Sequence, residues 1–497
     1  MSSILTWIIF IPFLSGLFIA LFCNNFWGRI VAFGASVFVA ILTVIMALSF
    51  DPAGGMQFVD IISLVQRYGI TYMVGVDGIN IYLILIIALF LPLLFFVLKR
   101  EEKGFWANLL FIESGFLAVC SSLDLIFFYA GWEMMLLPIF VMVGLYGKSA
   151  KRAKAMLDMM YYAIFGSMIM LGAIIYLGVL HFEQFGFYSF ALDDLANLNL
   201  SVMAERVLFF SFMIAFVIKL PLFPFHMWLS KAYTYSPSVA TFMLSAIASK
   251  VAVFAILRFV LPIFSLSFIE FSSYFVALGI FSMIYFGVIA LRCDDFKTLL
   301  AFASASHLGL ILAGVFSLDV VGMSGALYQI IAHALTSGAM FLMVGIISAQ
   351  LGTRKISQLG GIAHKAPVFA TLFGIMMLSS VGLPTTIGFV AELLILVGLF
   401  KTNLIYGIIA TTSIIVGAVY MFVVYRKAIL QSVGSVTDKF KELSKSQILG
   451  FGFVAIIIFV MGIYPKTFLD LSENTVQNHY EKYIKSCLKN ARKSRSI

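Results

Sequence analysis

The sequence has 497 residues, of which 62% are hydrophobic and only 11% are charged, with a formal net charge of +9. Soluble domains carry about 45–50% apolar and roughly 25% charged residues, so this composition excludes a soluble globular protein and predicts one that crosses a lipid bilayer many times. The positive charge lies mostly in the stretches between apolar segments, so we expect no nucleic-acid partner. The four cysteines are scattered, and no Gly-rich phosphate loop follows a strand; neither a metal site nor a cofactor site is expected in this chain.

The apolar segments predict an all-α polytopic membrane protein with about fourteen transmembrane helices. The first segment follows only three residues and lacks the basic start and cleavage site of a signal peptide, so we expect it to be retained. In chain order, the predicted spans are 4–23, 29–49, 79–98, 105–123, 125–146, 155–180, 206–229, 237–260, 271–291, 297–317, 321–349, 367–400, 404–425 and 447–464. The long stretch between residues 51 and 80 is predicted to pack over the outer face.

Basic residues in the loops predict the orientation of these spans. With the N-terminus outside, inward loops hold nineteen Lys and Arg residues and outward loops hold four. Lys297 is counted here as an inward loop residue and Arg258 as an outward one. The basic tail from Lys466 would lie outside, against the rule, so either the tail escapes it or the helix count is wrong by one.

Two spans contain prolines within apolar sequence. Pro221 and Pro224 interrupt the seventh span, and Pro384 interrupts the twelfth. Each proline removes a backbone hydrogen bond, and irregular backbone at membrane depth is tolerated only where it is buried in protein or lines a water-filled cavity. Matched breaks in two halves of a chain are typical of transporters built from inverted repeats.

Ionisable residues also lie deep inside the spans. Each Lys or Glu at the middle of a bilayer opposes insertion by roughly 2.5–3.5 kcal/mol, so such residues must pair or face water inside the bundle. A group held between burial and a neighbouring opposite charge changes its protonation when that charge moves, which is the property that proton transfer requires. The candidate proton relay consists of Glu133, Lys219, Lys250, His307, His333 and Glu392.

Structural interpretations remain open at each position. Glu133 and Lys219 could form a static ion pair, and each histidine could be a core side chain that bonds a backbone carbonyl. Glu113 is a further relay candidate or a structural group, and His226 is either interfacial or part of the relay.

These residues lie in segments that resemble a known family. Trp132-Glu133-Met134, the stretch from Lys219 through Pro221, Pro224 and His226 to Tyr233, Ser304-Ala-Ser-His307-Leu-Gly and His333-Ala-Leu are similar to the antiporter-like subunits of proton-translocating NADH:quinone oxidoreductase (respiratory complex I). They also resemble the related multi-subunit cation/proton antiporters. The resemblance covers residues from about 105 to 430, and the glutamate at position 392 is typical of the M-type branch, the mitochondrial-type chain 4.

The resemblance implies two inverted five-helix repeats with broken helices 7 and 12. Domain boundaries follow at 1–104 for the first three helices and outer loop, 105–260 and 261–430 for the two repeats, and 431–497 for the last helix and basic tail. It further implies that Glu133 pairs with Lys219, that Lys250 and the two histidines carry protons across the centre, and that Glu392 faces the exit.

By the same resemblance, the chain is expected to move protons as part of an enzyme whose FMN, iron–sulfur clusters and quinone reside in partner subunits. L-type and N-type antiporter-like chains are the expected neighbours. From the length of the chain and the absence of a targeting segment, a bacterial inner membrane is the expected location, with the mitochondrial inner membrane as the alternative. Two alternatives stay open: a subunit of a sodium/proton antiporter, and a structural membrane-arm subunit without transport.

Overall fold

A computed structural model describes residues 3–98, 102–147, 150–434 and 436–489. Within these ranges, eleven helices are long and apolar enough to cross a membrane. They confirm a helical, multi-pass membrane protein.

The helices are numbered so that a helix interrupted by a break keeps one number for both parts. They are α1 (Ile4–Phe22), α2 (Asn25–Leu48), α3 (Ile81–Val97), α4 (Lys103–Ser121), α5 (Leu125–Tyr146), α6 (Arg152–Phe185), α7a (Val202–Lys219), α7b (Met227–Tyr235), α8 (Ser238–Ile263), α9 (Ser272–Leu291), α10 (Phe296–Val315), α11 (Val320–Leu351), α12a (Pro367–Ser380), α12b (Ile387–Thr402), α13 (Leu404–Leu430), α14 (Lys445–Ile463) and α15 (Pro465–His479). Short helical turns lie at Gln66–Tyr68, Leu192–Leu195, Ser265–Glu270, Ile356–Gln358, Ile362–Lys365 and Thr437–Lys439.

Both predicted breaks are present, each as a gap between two half-helices. Helix α7a ends at Lys219 and α7b begins at Met227, while α12a ends at Ser380 and α12b begins at Ile387. Neither half alone has the length and composition of a full span. Counting each broken helix once, together with the shorter apolar helix α3, is consistent with fourteen crossings, and that number remains a prediction.

The segment after α2 forms an antiparallel hairpin of β1 (Gln57–Val65) and β2 (Ile70–Val76). It covers one end of the bundle, because Asp60 accepts hydrogen bonds from the backbone of Ser3 and the hydroxyl of Thr6. The backbone of Gly78, just after β2, donates to the Thr475 hydroxyl of α15 at 3.1 Å. The beginning of the chain and α15 therefore lie at the same end, which requires an even number of crossings; that this end faces outward remains a prediction.

Four helices form the centre of the molecule. The apolar core of α8 is entirely buried, and those of α4, α10 and α11 are more than four-fifths buried, whereas only a third of α1, α2, α13 and α14 is covered within this chain. A helix that is surrounded by protein has no one-sided apolar stripe, which is why these central spans read as continuous apolar runs.

Two charged residues assigned to loops lie inside the protein instead. Arg258 is in α8 and makes a two-pronged ion pair with Asp77, with Nη1 to Oδ2 at 2.7 Å and both side chains at most 4% exposed. Lys297 is buried in the first turn of α10. Both loop assignments were wrong. A charged side chain near the end of an apolar run is normally solvated, but here buried hydrogen-bond acceptors take the place of water.

Replacing Asp77 by Ala is expected to destabilise the protein by about 3–5 kcal/mol, because it leaves the Arg258 guanidinium buried without its partner. The matched control is Glu270→Ala, which breaks the exposed pair with Arg206 and should cost about 0–1 kcal/mol. Thermal unfolding of the detergent-purified protein measures both. Equal unfolding temperatures for the two variants would contradict a stabilising role for the buried pair.

Candidate functional site

Lys250 lies at the centre of α8, in a stretch of regular helix between two wider π turns, Leu244–Ala248 and Ile256–Val260. The side chain is completely buried. Its Nζ donates to the backbone oxygen of Ser245, within the first π turn, and lies 2.5 Å from Nδ1 of His333 on α11. A π turn changes the hydrogen-bond pattern of the helix, so a carbonyl becomes available to a side chain at the depth of the core.

The two histidines continue this line of polar groups. The rings of His333 and His307 lie 5.5 Å apart between centroids, and Nδ1 of His307 is 3.6 Å from Oε1 of Glu392 on α12b. Nε2 of His333 is buried and has no hydrogen-bond partner among the described residues. Lys250, His333, His307 and Glu392 thus form a continuous side-chain row across α8, α11, α10 and α12b, which we call the central row.

Glu392 lies against the break in helix 12. Gly382, just after α12a, has a positive φ of 71°, and a Cβ at this residue would lie 2.6 Å from Oε2 of Glu392. At Gly388, in the first turn of α12b, a Cβ would lie 1.9 Å from the backbone oxygen of Ser379. Both positions therefore require glycine, since any side chain would displace the carboxylate or the facing half-helix.

Lys219 lies at the other break, as the last residue of α7a. The unpaired carbonyls of a helix C-terminus carry partial negative charge, which favours a cation. Trp228 of α7b donates from Nε1 to the oxygen of Ile218 at 3.2 Å and so ties the two half-helices together. The Lys219 ammonium lies 5.4 Å from the centre of the Trp132 ring, a cation–π contact.

Glu133 follows Trp132 on α5 and interacts electrostatically with Lys219. Among the described residues, no ion pair of 4 Å or less joins Glu133 and Lys219, and Oε1 of Glu133 is buried without a hydrogen-bond partner. The direct pairing implied by the resemblance is therefore not present in this structure, although the two groups remain electrostatic neighbours. A cavity of about 20 Å³ beside Lys219, Trp132 and Trp228 has room for one water molecule.

The six candidate residues consequently fall into two groups. Glu133 and Lys219 lie at the first break, and the other four make up the central row. Leu244, the first residue of the π turn before Lys250, lines the cavity beside Lys219.

Two further residues from the sequence analysis have defined surroundings. His226 is buried against the rings of Tyr285 and Phe286, with Nδ1 unbonded. Both carboxyl oxygens of Glu113 in α4 are buried without a partner. Neither residue contacts the central row through a hydrogen bond in the described part of the chain.

Sequence reasoning missed Lys297. Its Nζ donates to the oxygen of Ser236 at 2.8 Å and to the hydroxyl of Thr241 at 3.1 Å. The sequence held a signal for this placement, because Asp295 is a candidate for the N-cap of the helix. Lys297 follows Asp295 and therefore lies in the first turn of the apolar helix, not in the loop before it.

The chemistry of these side chains is suited to moving protons. Imidazole accepts a proton at one nitrogen and donates from the other, while amines and carboxylates exchange single protons. Within the described ranges, no group of three or more His, Cys, Asp or Glu side chains could hold a metal ion.

Comparison with known proteins gives consistent results. The family described as NADH:quinone oxidoreductase/Mrp antiporter matches residues 122–417. The chain is 34% identical to NADH-quinone oxidoreductase subunit M of Rickettsia prowazekii, covering 95% of this chain and 97% of the relative. It is 29% identical to NADH-ubiquinone oxidoreductase chain 4 of Marchantia polymorpha, over 96% and 97% of the two chains.

Solved structures share the architecture. A chain of respiratory complex I from Thermus thermophilus superimposes with a TM-score of 0.87 at 29% identity, covering 96% of this chain and 99% of that one. A chain of the Mrp complex from a Dietzia species gives a TM-score of 0.85 at 20% identity, over 97% and 98% of the chains, and shows the shared fold alone.

Substituting Gly388 by Ala should destabilise the protein by about 1–3 kcal/mol, because the new methyl group overlaps the Ser379 carbonyl and pushes the two halves of helix 12 apart. Gly452→Ala is the control, since that helical glycine faces open space, and it should be neutral or stabilising by about 0.5–1 kcal/mol. Thermal unfolding in detergent measures both effects. A Gly388→Ala protein as stable as wild type would show that the two half-helices are not closely packed.

Proposed function

The chain belongs to the NADH-quinone oxidoreductase subunit M family, and from this membership we propose that it is the membrane subunit that moves protons when partner subunits oxidise NADH and reduce quinone. FMN and iron–sulfur clusters belong to those partners. The neighbours in the membrane are other antiporter-like chains of L and N type. The membrane is a bacterial inner membrane, with the basic loops on the cytoplasmic side.

The observation that carries the proposal is the central row. Lys250, His333, His307 and Glu392 follow one another across four helices, with contacts of 2.5 Å, 5.5 Å between ring centroids and 3.6 Å. In a static structural role, each charged side chain needs only one partner. Four titratable groups that follow one another in space instead provide a series of alternative sites for a proton. The four residues lie within the apolar helices α8, α10, α11 and α12b, as a relay through the membrane requires.

Glu133 and Lys219 control when a proton is released. A carboxylate near the Lys219 ammonium favours the charged lysine, and burial favours the neutral amine. A movement or charge change in a neighbouring subunit that draws Glu133 away therefore makes Lys219 release its proton. The break after Lys219 and the water-sized cavity supply the local freedom that this step needs.

Protons then pass along the central row to Glu392. The break between α12a and α12b, with glycine at positions 382 and 388, leaves the carboxylate beside irregular backbone, where a water-filled exit can form. Lys250 receives the proton that Lys219 releases. When Glu133 returns, Lys250 passes a proton back to Lys219 and is reloaded from the inward side, so one proton enters for each one that leaves at Glu392.

Purification of the tagged chain in mild detergent should recover flavin- and iron–sulfur-bearing subunits together with other antiporter-like chains. Mass spectrometry and flavin absorbance of the purified material measure this. Recovery of small membrane subunits without a redox protein would instead support a cation/proton antiporter, the function of the second group that the sequence resembles.

Replacing Lys250 by Met, or Glu392 by Gln, should abolish NADH-driven proton pumping, a loss of about 100-fold or more, because each change removes a group that exchanges protons. Lys401→Met is the control, since that exposed lysine pairs with Asp319 at 3.6 Å outside the row. Acidification of membrane vesicles, divided by the amount of assembled complex, measures pumping. Unchanged pumping in both row variants would leave only a structural role for this subunit.

A further inference from the structure

The face of the Trp132 ring is the partner of the Lys219 ammonium in this structure. The ring centre lies 5.4 Å from Nζ, and both residues are buried. Within the described ranges, the Lys219 amine makes no hydrogen bond and no ion pair of 4 Å or less. A buried cation without any partner is strongly disfavoured, and an aromatic face attracts a cation most strongly where water is excluded. The ring therefore holds the ammonium where it lies.

Two other aromatic rings hold the Trp132 ring in place. Phe128, one turn earlier on α5, and Phe216 on α7a each lie 5.7 Å from it between centroids. Phe216 precedes Lys219 by three residues, so the end of α7a supplies both a wall for the ring and the cation that faces it. Because the ring is packed in this way, it marks one defined position for the ammonium.

Glu133 offers the lysine a different position. It follows Trp132 directly on α5, so the two side chains leave the helix about 100° apart. Trp132 and Lys219 both line the water-sized cavity at the first break, whereas Glu133 does not. The ammonium therefore lies on the tryptophan side of α5, next to this cavity.

Helix α5 itself is packed closely against α4 at two glycines. A Cβ at Gly131 of α5 would lie 2.9 Å from Cγ2 of Val119, and a Cβ at Gly115 of α4 would lie 2.7 Å from the backbone nitrogen of Met135. Such close packing leaves little room for α5 to turn about its axis. A change of partner at Lys219 therefore comes from movement of the long, flexible lysine side chain and not from rotation of α5.

We propose that Trp132 is a positioning residue of the relay: the Lys219 ammonium alternates between the Glu133 carboxylate and the face of the Trp132 ring. The inference rests on the proposed function of Glu133 and Lys219. A carboxylate at close range attracts the ammonium more strongly than a ring does, so the lysine pairs with Glu133 when that side chain is near. When Glu133 is drawn away, the ring holds the ammonium beside the cavity, and from this position the amine releases its proton. The ring attracts only the charged amine, so its hold ends once the proton has left.

The alternative is that Trp132 only fills the space between Phe128 and Phe216. Fluorinated tryptophans separate the two roles, because fluorine withdraws electrons from the ring face and changes the size of the ring very little. Tryptophans with one, two and three fluorine atoms, incorporated at position 132 by stop-codon suppression, should pump progressively more slowly. The trifluorinated residue should pump about tenfold more slowly than tryptophan, since the attraction for a cation depends on the negative face of the ring. A ring that only fills space predicts equal rates throughout the series.

Trp228 provides the matched control, because it lines the same cavity but acts through its N–H group. Its Nε1 donates to the oxygen of Ile218 at 3.2 Å, and electron withdrawal from the ring does not weaken a donor. The same fluorinated series at position 228 should therefore pump as wild type. Ordinary substitutions give a second comparison: Trp132→Phe keeps a weaker aromatic face and should pump faster than Trp132→Leu, which has none.

The measurement is NADH-driven acidification of membrane vesicles that contain the whole complex, divided by the amount of assembled complex, alongside Lys219→Met. A stepwise loss at position 132 with none at position 228 supports the positioning role. Loss of pumping in Lys219→Met with equal rates throughout the series at position 132 would overturn that role and leave the relay standing. Equal stepwise losses at both positions would show an effect of ring packing and would also overturn it. Normal pumping in Lys219→Met would instead overturn the proposed function on which the inference rests.

Discussion

A lysine amine buried at the centre of a membrane protein needs hydrogen-bond acceptors, and a regular α-helix offers none because its carbonyls are already bonded. The backbone resolves this by departing from regular helix at the charges. A π turn presents the Ser245 carbonyl to Lys250, and α7a simply ends at Lys219. In helix 12 the gap lies beside the Glu392 carboxylate. Irregular backbone and buried charge therefore occur together, and the fold is the set of packed helices that keeps both away from lipid.

Because irregular backbone and buried charge occur together, some features of the fold were visible in the sequence. Prolines at 221, 224 and 384 mark the two breaks, since proline has no amide hydrogen to donate. Ionisable residues within apolar runs mark the relay, because insertion opposes them unless they have a use. All four members of the central row were identified in this way, and the structure brings them into one line. Their roles, the domain boundaries and the two inverted repeats remain predictions.

Other features left no such mark. The π turns in α8 contain no proline or glycine, so no residue in them marks a departure from regular helix. Arg258 and Lys297 were misread as loop charges, since their partners Asp77 and Ser236 are distant in sequence. The gap between Glu133 and Lys219 depends on how α5 packs against the α7 break, which hydropathy does not encode. The position of a charged residue along the chain indicates its depth in the membrane. It does not indicate which hydrogen-bond acceptor the side chain will contact.

The buried pair between Asp77 and Arg258 also has a consequence for the order in which the chain is made. Its two residues are 181 positions apart, so at about 5–20 residues per second the ribosome needs roughly 10–35 s to supply the arginine after the aspartate. During that interval the β hairpin can pack against the ends of α1 and α4, but Asp77, in the loop after the hairpin, does not yet have its arginine partner. Thr475 of α15, whose hydroxyl accepts a hydrogen bond from the backbone N–H of Gly78, is synthesised still later. The contacts that close the hairpin end of the bundle are therefore completed last, and a chain that stops before α8 has no partner for the Asp77 carboxylate in this loop.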